Sequence, residues 1–130
     1  MYSLASRHMI TAAIAFSLES AGYRDKRSSN AIAVAMRKTA IFDKAWGEIR
    51  QELEKARIWY MPREGAFLKE IYPKYGMREF SDHDILFDDS RADDVKAIME
   101  EHGFTTEHRS SSVGMGQTRK ESECHYFMEQ

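Results

Sequence analysis

Asp82, His83 and Asp84 stand together just ahead of an apolar run, and two carboxylates with one residue between them can do chemistry. On a strand, positions two apart share a face and lie about 7 Å apart along the chain. Two carboxylates at that reach can share a hard divalent cation, or hold a pair of them roughly 4 Å apart. Magnesium suits them, because it takes a few carboxylates and completes its shell with water and phosphate oxygens. By the same alternation His83 belongs to the opposite face and is not expected to be a ligand. Acidic residues number 21 of 130. A pair such as this therefore arises easily by chance, and a solvated turn before a strand is the competing reading.

The remaining chemistry-bearing residues form no known constellation. His102, His108 and His125 lack a His-Glu-x-x-His spacing, so their order along the chain predicts no zinc site. Cys124 is the only cysteine, which excludes an intrachain disulfide or a Cys-rich zinc site and points to a reducing compartment. No His–Asp arrangement marks it as a nucleophile. Asp88 and Asp89 suit the entry to a helix, whose dipole they complement. Arg78, in a polar stretch, either binds phosphate or is solvated. Trp46, Trp59 and the 8 methionines read as core or interface.

Hydrophobic residues make up 42% of the chain and charged residues 31%, which excludes wholesale disorder. A formal net charge of -2 gives no sign of a nucleic-acid or anionic-membrane partner. No run reaches the roughly 20 apolar residues of a membrane span. The short apolar stretch Met9 to Phe16 keeps a helical period into Leu18, so it reads as a helix rather than a leader, and a cytoplasmic location is expected.

Ile10, Ala13, Ile14 and Leu18 recur at helical spacing, with Gly22 placed to stop that helix. Arg24 to Asn30 reads as a loop, with Ser29 or Asn30 capping a second, long helix. Its apolar stripe is Ile32, Ala35, Phe42, Trp46, Ile49, Leu53 and Ala56. Residues 1–57 are thus expected to be a helical segment that packs on a core at 58–130. In that core, Ile58 to Met61 predicts a strand ended by Pro62, and Gly65 to Tyr72 a short helix closed by Pro73. Asp82 to Phe87 predicts a second strand. Ser90 should open a helix whose buried face is Ala92, Val95, Ile98 and Met99, ended by Gly103. Phe104 to Glu107 and His125 to Glu129 are further strand candidates, with Ser110 to Gly116 a mobile loop between them. Strands alternating with helices point to an α/β or α+β sandwich, and of the two the fold class expected is α+β, with helices flanking a mixed sheet.

Over Ile58 to Asp89 the chain resembles a bacterial group of uncharacterised nucleotidyltransferases in the polymerase-beta-like superfamily. The matching residues are Gly65-Ala66, Tyr72-Pro73, Gly76-Met77-Arg78 and Asp82-His83-Asp84-Ile85-Leu86. The likeness continues through the following helix to Gly103-Phe104, and more loosely back to Ala12. It implies transfer of an NMP unit from an NTP to an acceptor that is a protein, an RNA or a small molecule. Asp82 and Asp84 would be the magnesium ligands, one ion or two, and a third carboxylate is implied from a later strand. Glu129 is its first candidate and Glu123 the fallback. Gly65, Arg63 and Arg78 would meet the nucleotide.

Two departures from the group stand out. Glu64 occupies the place where the group carries lysine before the Gly-Ala turn, the wrong sign beside an anionic ligand. Members of the group also continue with further helices, so the expectation includes a fragment, a homo-oligomer, or a subunit completed by a partner chain. The alternative is a catalytically inactive domain of the same fold that binds a protein or a nucleotide.

Overall fold

The computed structural model describes residues 2–63, 67–79, 82–113 and 120–128, of which 82, 83, 106–113 and 120–128 are described as backbone. Three helices come first: α1 (Tyr2–Arg7), α2 (Thr11–Ser20) and α3 (Lys26–Lys55). A short strand β1 (Tyr60–Pro62), a 3-10 turn at Lys69–Ile71 and the strand β2 (Asp82–Asp88) follow. After a 3-10 turn at Asp89–Arg91 come α4 (Ala92–Glu101), β3 (Phe104–Val113) and β4 (Lys120–Met128). The strands form one sheet in the order β1-β2-β4-β3. Among the described residues its pairings are all antiparallel, where a mixed sheet was expected. Helices and an antiparallel sheet make the fold α+β. No helix among the described residues is long and apolar enough to cross a membrane.

The chain divides into two compact units, residues 1–43 with 67–80, and residues 44–66 with 81–130. In the first unit the buried face of α2 is Ala12, Ala15 and Phe16, and Ala12 and Phe16 cluster with Ala35 of α3. Ile32 and Met77 pack on the same cluster. The residues whose spacing marked the helix, Ile10, Ala13, Ile14 and Leu18, line an open hollow of about 390 Å³, and Ile10 is 46% exposed. The reason is that α2 is apolar nearly all round, so periodicity does not select a face. The contact is made by Ala12 and Phe16, which cluster with Ala35.

Gly22 ends α2 as expected. It adopts φ 83, its N–H donates to the Glu19 carbonyl, and the Tyr23 N–H reaches back to that of Leu18. This is the paired helix-end pattern that glycine favours. The start of α3 differs from expectation. The helix begins at Lys26, and its cap is Asp25, whose Oδ1 accepts the Ser28 N–H at 2.6 Å. Ser28 is itself buried, its Oγ 2.5 Å from the Tyr2 hydroxyl.

That Ser28 N–H holds the Asp25 carboxyl below its ordinary value of 3.8. A depressed carboxylate stabilises the fold above its unfolded pKa, and the contribution fades as pH falls through the folded one. Asp25→Asn should therefore melt below the parent at neutral pH, with the gap narrowing as the buffer drops below pH 3.8. Thermal unfolding followed by circular dichroism at several pH values checks this, and a gap independent of pH would contradict it.

The second unit is built on the C-terminal half of α3. Trp46, Ile49 and Leu53 are buried at alternating spacings of three and four, one continuous stripe. Ile58, Ile85, Phe87, Ala92, Val95, Met99 and Phe104 complete this core. Trp46 meets the Tyr60 ring edge to face, the centroids 5.9 Å apart. Ile58 was expected to open a strand but finishes the helix. Arg57 turns to φ 54 and the Ile58 N–H donates back to the Leu53 carbonyl at 2.9 Å. Strand β1 therefore starts two residues later. At its other end Pro62 sits on the sheet edge, where a missing N–H is tolerated.

Gly65 and Ala66 lie outside the described residues, and the rest of the short helix expected there closes in the Lys69–Ile71 turn. Tyr72 is already extended at ψ 140, as a residue before proline must be. Ser110 to Val113, expected within a loop, belong to β3. Their ladder with β4 overrides the weak strand propensity of serine.

Candidate functional site

Strand β2 alternates as its sequence predicts. Ile85 and Phe87 are fully buried, whereas Asp84, Leu86 and Asp88 are half-buried. Asp82 occupies a position of the same parity as Asp84, and His83 the parity of Ile85 and Phe87. One parity of β2 thus feeds the core of the second unit, and the other carries the aspartates.

The backbone of Asp84 is held from both sides. Its carbonyl accepts the Arg63 N–H at 2.8 Å, immediately beyond β1. On the other side β2 pairs with β4, with Asp84 opposite His125 and Asp82 opposite Phe127. The strand ends where Asp88 turns the chain. Its Oδ1 accepts both the Ser90 N–H at 3.1 Å and the Ser90 hydroxyl at 2.9 Å. Asp88 is therefore the cap at this corner, in place of the expected Ser90. The Asp88 carboxylate oxygen takes both donors, which closes the turn at Asp89–Arg91. Helix α4 buries Ala92, Val95 and Met99 and half-buries Ile98, and Gly103 follows it at φ 82.

The other predicted site residues distribute as follows. Arg63, Asp82 and Asp84 belong to the second unit. Arg78 belongs to the first, where it is half-buried and donates to the Glu79 carbonyl at 2.7 Å. Gly65, Glu64 and Glu129 lie outside the described residues. Glu123, the fallback carboxylate, stands opposite Leu86 in the register, two positions along β4 from the partner of Asp84. Glu121 stands opposite Asp88. Among the residues whose side chains are described, no group of three His, Cys, Asp or Glu is placed to hold a metal ion.

Reading the sequence missed two polar residues with defined roles. The Glu79 carboxylate accepts the Ala12 N–H at 3.0 Å and so satisfies the start of α2. No local spacing announces it, because the partners are 67 residues apart. His102 is held by α3, its Nε2 2.8 Å from Glu52 Oε1 and its Nδ1 3.4 Å from Glu48 Oε2. The Glu48 and Glu52 spacing on one helix face is the signal that would have found it.

Electrostatics in the first unit centre on Asp43. It takes the Lys69 ammonium and, at 2.8 Å, the Tyr75 hydroxyl. Burial and that bond to Asp43 push the Tyr75 phenol up to about 12.

No curated protein and no solved structure matches the chain. A family described as "Uncharacterised nucleotidyltransferase" matches residues 1–129. That match spans both compact units and includes the strand with its two aspartates, and the chain belongs to this nucleotidyltransferase family.

Proposed function

We propose that this chain is a metal-dependent nucleotidyltransferase that moves an NMP unit from an NTP to an acceptor oxygen. The observation that supports this most is the pair Asp82 and Asp84 at same-parity positions of β2, in a chain whose family is one of nucleotidyltransferases. The acceptor oxygen attacks the α-phosphorus, the bond to the bridging oxygen breaks, and pyrophosphate leaves with the electron pair. Two carboxylates are hard oxygen donors, and Asp84 is only half-buried, so the donor set fits magnesium with Asp82 and Asp84 as its ligands. A divalent ion bound there supplies neutralisation of the triphosphate charge.

The chain's own part is positioning. The buried Ile85 and Phe87 fix β2 on its core, and the backbone bond from Arg63 fixes Asp84 relative to β1. Held this way, the main chain at Asp84 needs little reorganisation when a substrate arrives. Arg63 and Arg78 are the proposed phosphate cations, with Gly65 at the turn beside the nucleotide. Glu129, with Glu123 behind it, is the proposed third carboxylate. The site is proposed to work in the cytoplasm.

Titration of each NTP in magnesium checks the reading. The parent chain should bind an NTP only when magnesium is present. In Asp82→Asn/Asp84→Asn that affinity should fall at least about tenfold, as expected when metal ligation is disturbed, while the helical signal is kept. Equal binding by parent and variant would end the proposal. Glu64 favours a second reading, a nucleotide-binding module without turnover, because a carboxylate stands where the group that the chain resembles carries lysine. Magnesium-dependent binding without pyrophosphate release, under every acceptor class tried, would select that reading.

A further inference from the structure

The linear spacing of the histidines hides a proximity that the sheet creates. Three adjacent strands place Asp84 of β2 opposite His125 of β4, and His125 opposite His108 of β3. Neighbouring strands are roughly 4.8 Å apart, so the three residues form one row about 10 Å long across the sheet. Directly opposed residues are the closest cross-strand neighbours a sheet offers.

An irregularity in β3 produces this alignment. The register shifts between Thr106 and His108, so that Thr106 pairs with Tyr126 and His108, rather than Glu107, pairs with His125. An extra residue in one strand is the usual device for redirecting a position within a sheet, and such bulges concentrate beside functional sites. Without the shift, an acidic residue would stand in the row where the second imidazole now stands.

We infer that the row Asp84–His125–His108 is a binding site for a borderline transition-metal ion of the zinc class. The row offers two imidazoles and one carboxylate. Imidazole suits zinc and its neighbours, whereas magnesium is held by oxygen donors. Glu123, two positions along β4 from His125, and Ser110 opposite it lie on the flank of the row. The site shares Asp84 with the proposed transfer centre but does not depend on nucleotide chemistry, and the two ideas can fail separately.

The test is a titration of the untagged full chain with Zn2+ alone, in competition with a colorimetric chelator. The parent should bind one ion per chain, at least about tenfold more tightly than it binds magnesium. His125→Ala and His108→Ala should each weaken zinc binding at least about tenfold. His125→Cys should retain it, because a thiolate is an equally good zinc ligand. His102→Ala is the control, since His102 stands between two α3 carboxylates and its loss should change nothing. Unchanged affinity in both His108→Ala and His125→Ala overturns the inference, as does loss only in His102→Ala. Should Asp82→Asn lose magnesium-dependent NTP binding but keep zinc, both proposals stand. Zinc binding in a chain that never binds an NTP would sink the transfer reading alone.

Discussion

Gly76→Val is expected to lower the free energy of unfolding by about 3 kcal/mol, from two effects that add. Gly76 is buried and has φ 79. For a residue with a side chain the left-handed region costs about 1–2 kcal/mol, and more for a β-branched one. It also sits where space is missing. A Cβ there would lie 3.0 Å from both the Cα and the N of Met36, which are backbone of α3 and cannot swing aside. Overfilling a packed contact adds about 1–3 kcal/mol. The turn depends on this residue, because the Met77 N–H closes it onto the Lys74 carbonyl at 3.1 Å and delivers Met77 to the Ala12–Phe16–Ala35 cluster. Denaturant unfolding at constant slope measures the loss. Gly76→Asn separates the two effects: asparagine tolerates the left-handed backbone but keeps the Cβ, so it should recover only the backbone part. Full recovery would show that the contact with Met36 carries no cost.

Phe87→Ala is expected to cost about 3–5 kcal/mol, the range for removing a buried aromatic ring. Phe87 is fully buried in the second unit, on the same strand as the aspartates. The loss combines the transfer of the ring from water with the cavity left where a fully buried ring stood. Total stabilities of small domains are about 5–15 kcal/mol, so this one change removes a large share. Phe87→Leu keeps most of the volume and should cost less than about 1.5 kcal/mol. The midpoint of urea unfolding orders the three proteins, and an alanine variant as stable as the parent would show that β2 does not depend on this core.

Much of the helical architecture was legible because its signals are local. The stripe from Ala35 to Leu53 repeats at helical spacing, and burial follows it, with Thr39 inserted where its hydroxyl donates to the Ala35 carbonyl at 2.9 Å. Gly22 and Gly103 marked two helix ends because few other residues adopt their backbone angles at so low a cost. Arg57 broke that rule. It takes the same left-handed turn without being glycine, so the end of α3 and the start of β1 were displaced together. The pair Asp82 and Asp84 was legible as a pair, since strand alternation needs no partner. What surrounds it was not. Whether His125, Phe127 or a glutamate stands opposite depends on the register of β4, and the bulge in β3 shifts the next strand again. Register is a tertiary property, and a run such as Ser110 to Val113 carries almost no hydrophobic pattern from which to infer it.

The hydrogen bond from Arg63 to the Asp84 carbonyl has a calorimetric consequence. A main chain already clamped between two neighbours has few conformations left to surrender when the proposed ion arrives. Binding of that ion at Asp84 should therefore show little of the unfavourable ordering entropy that coupled folding brings. Its heat should report the new contacts themselves, and a small heat-capacity change would accompany it.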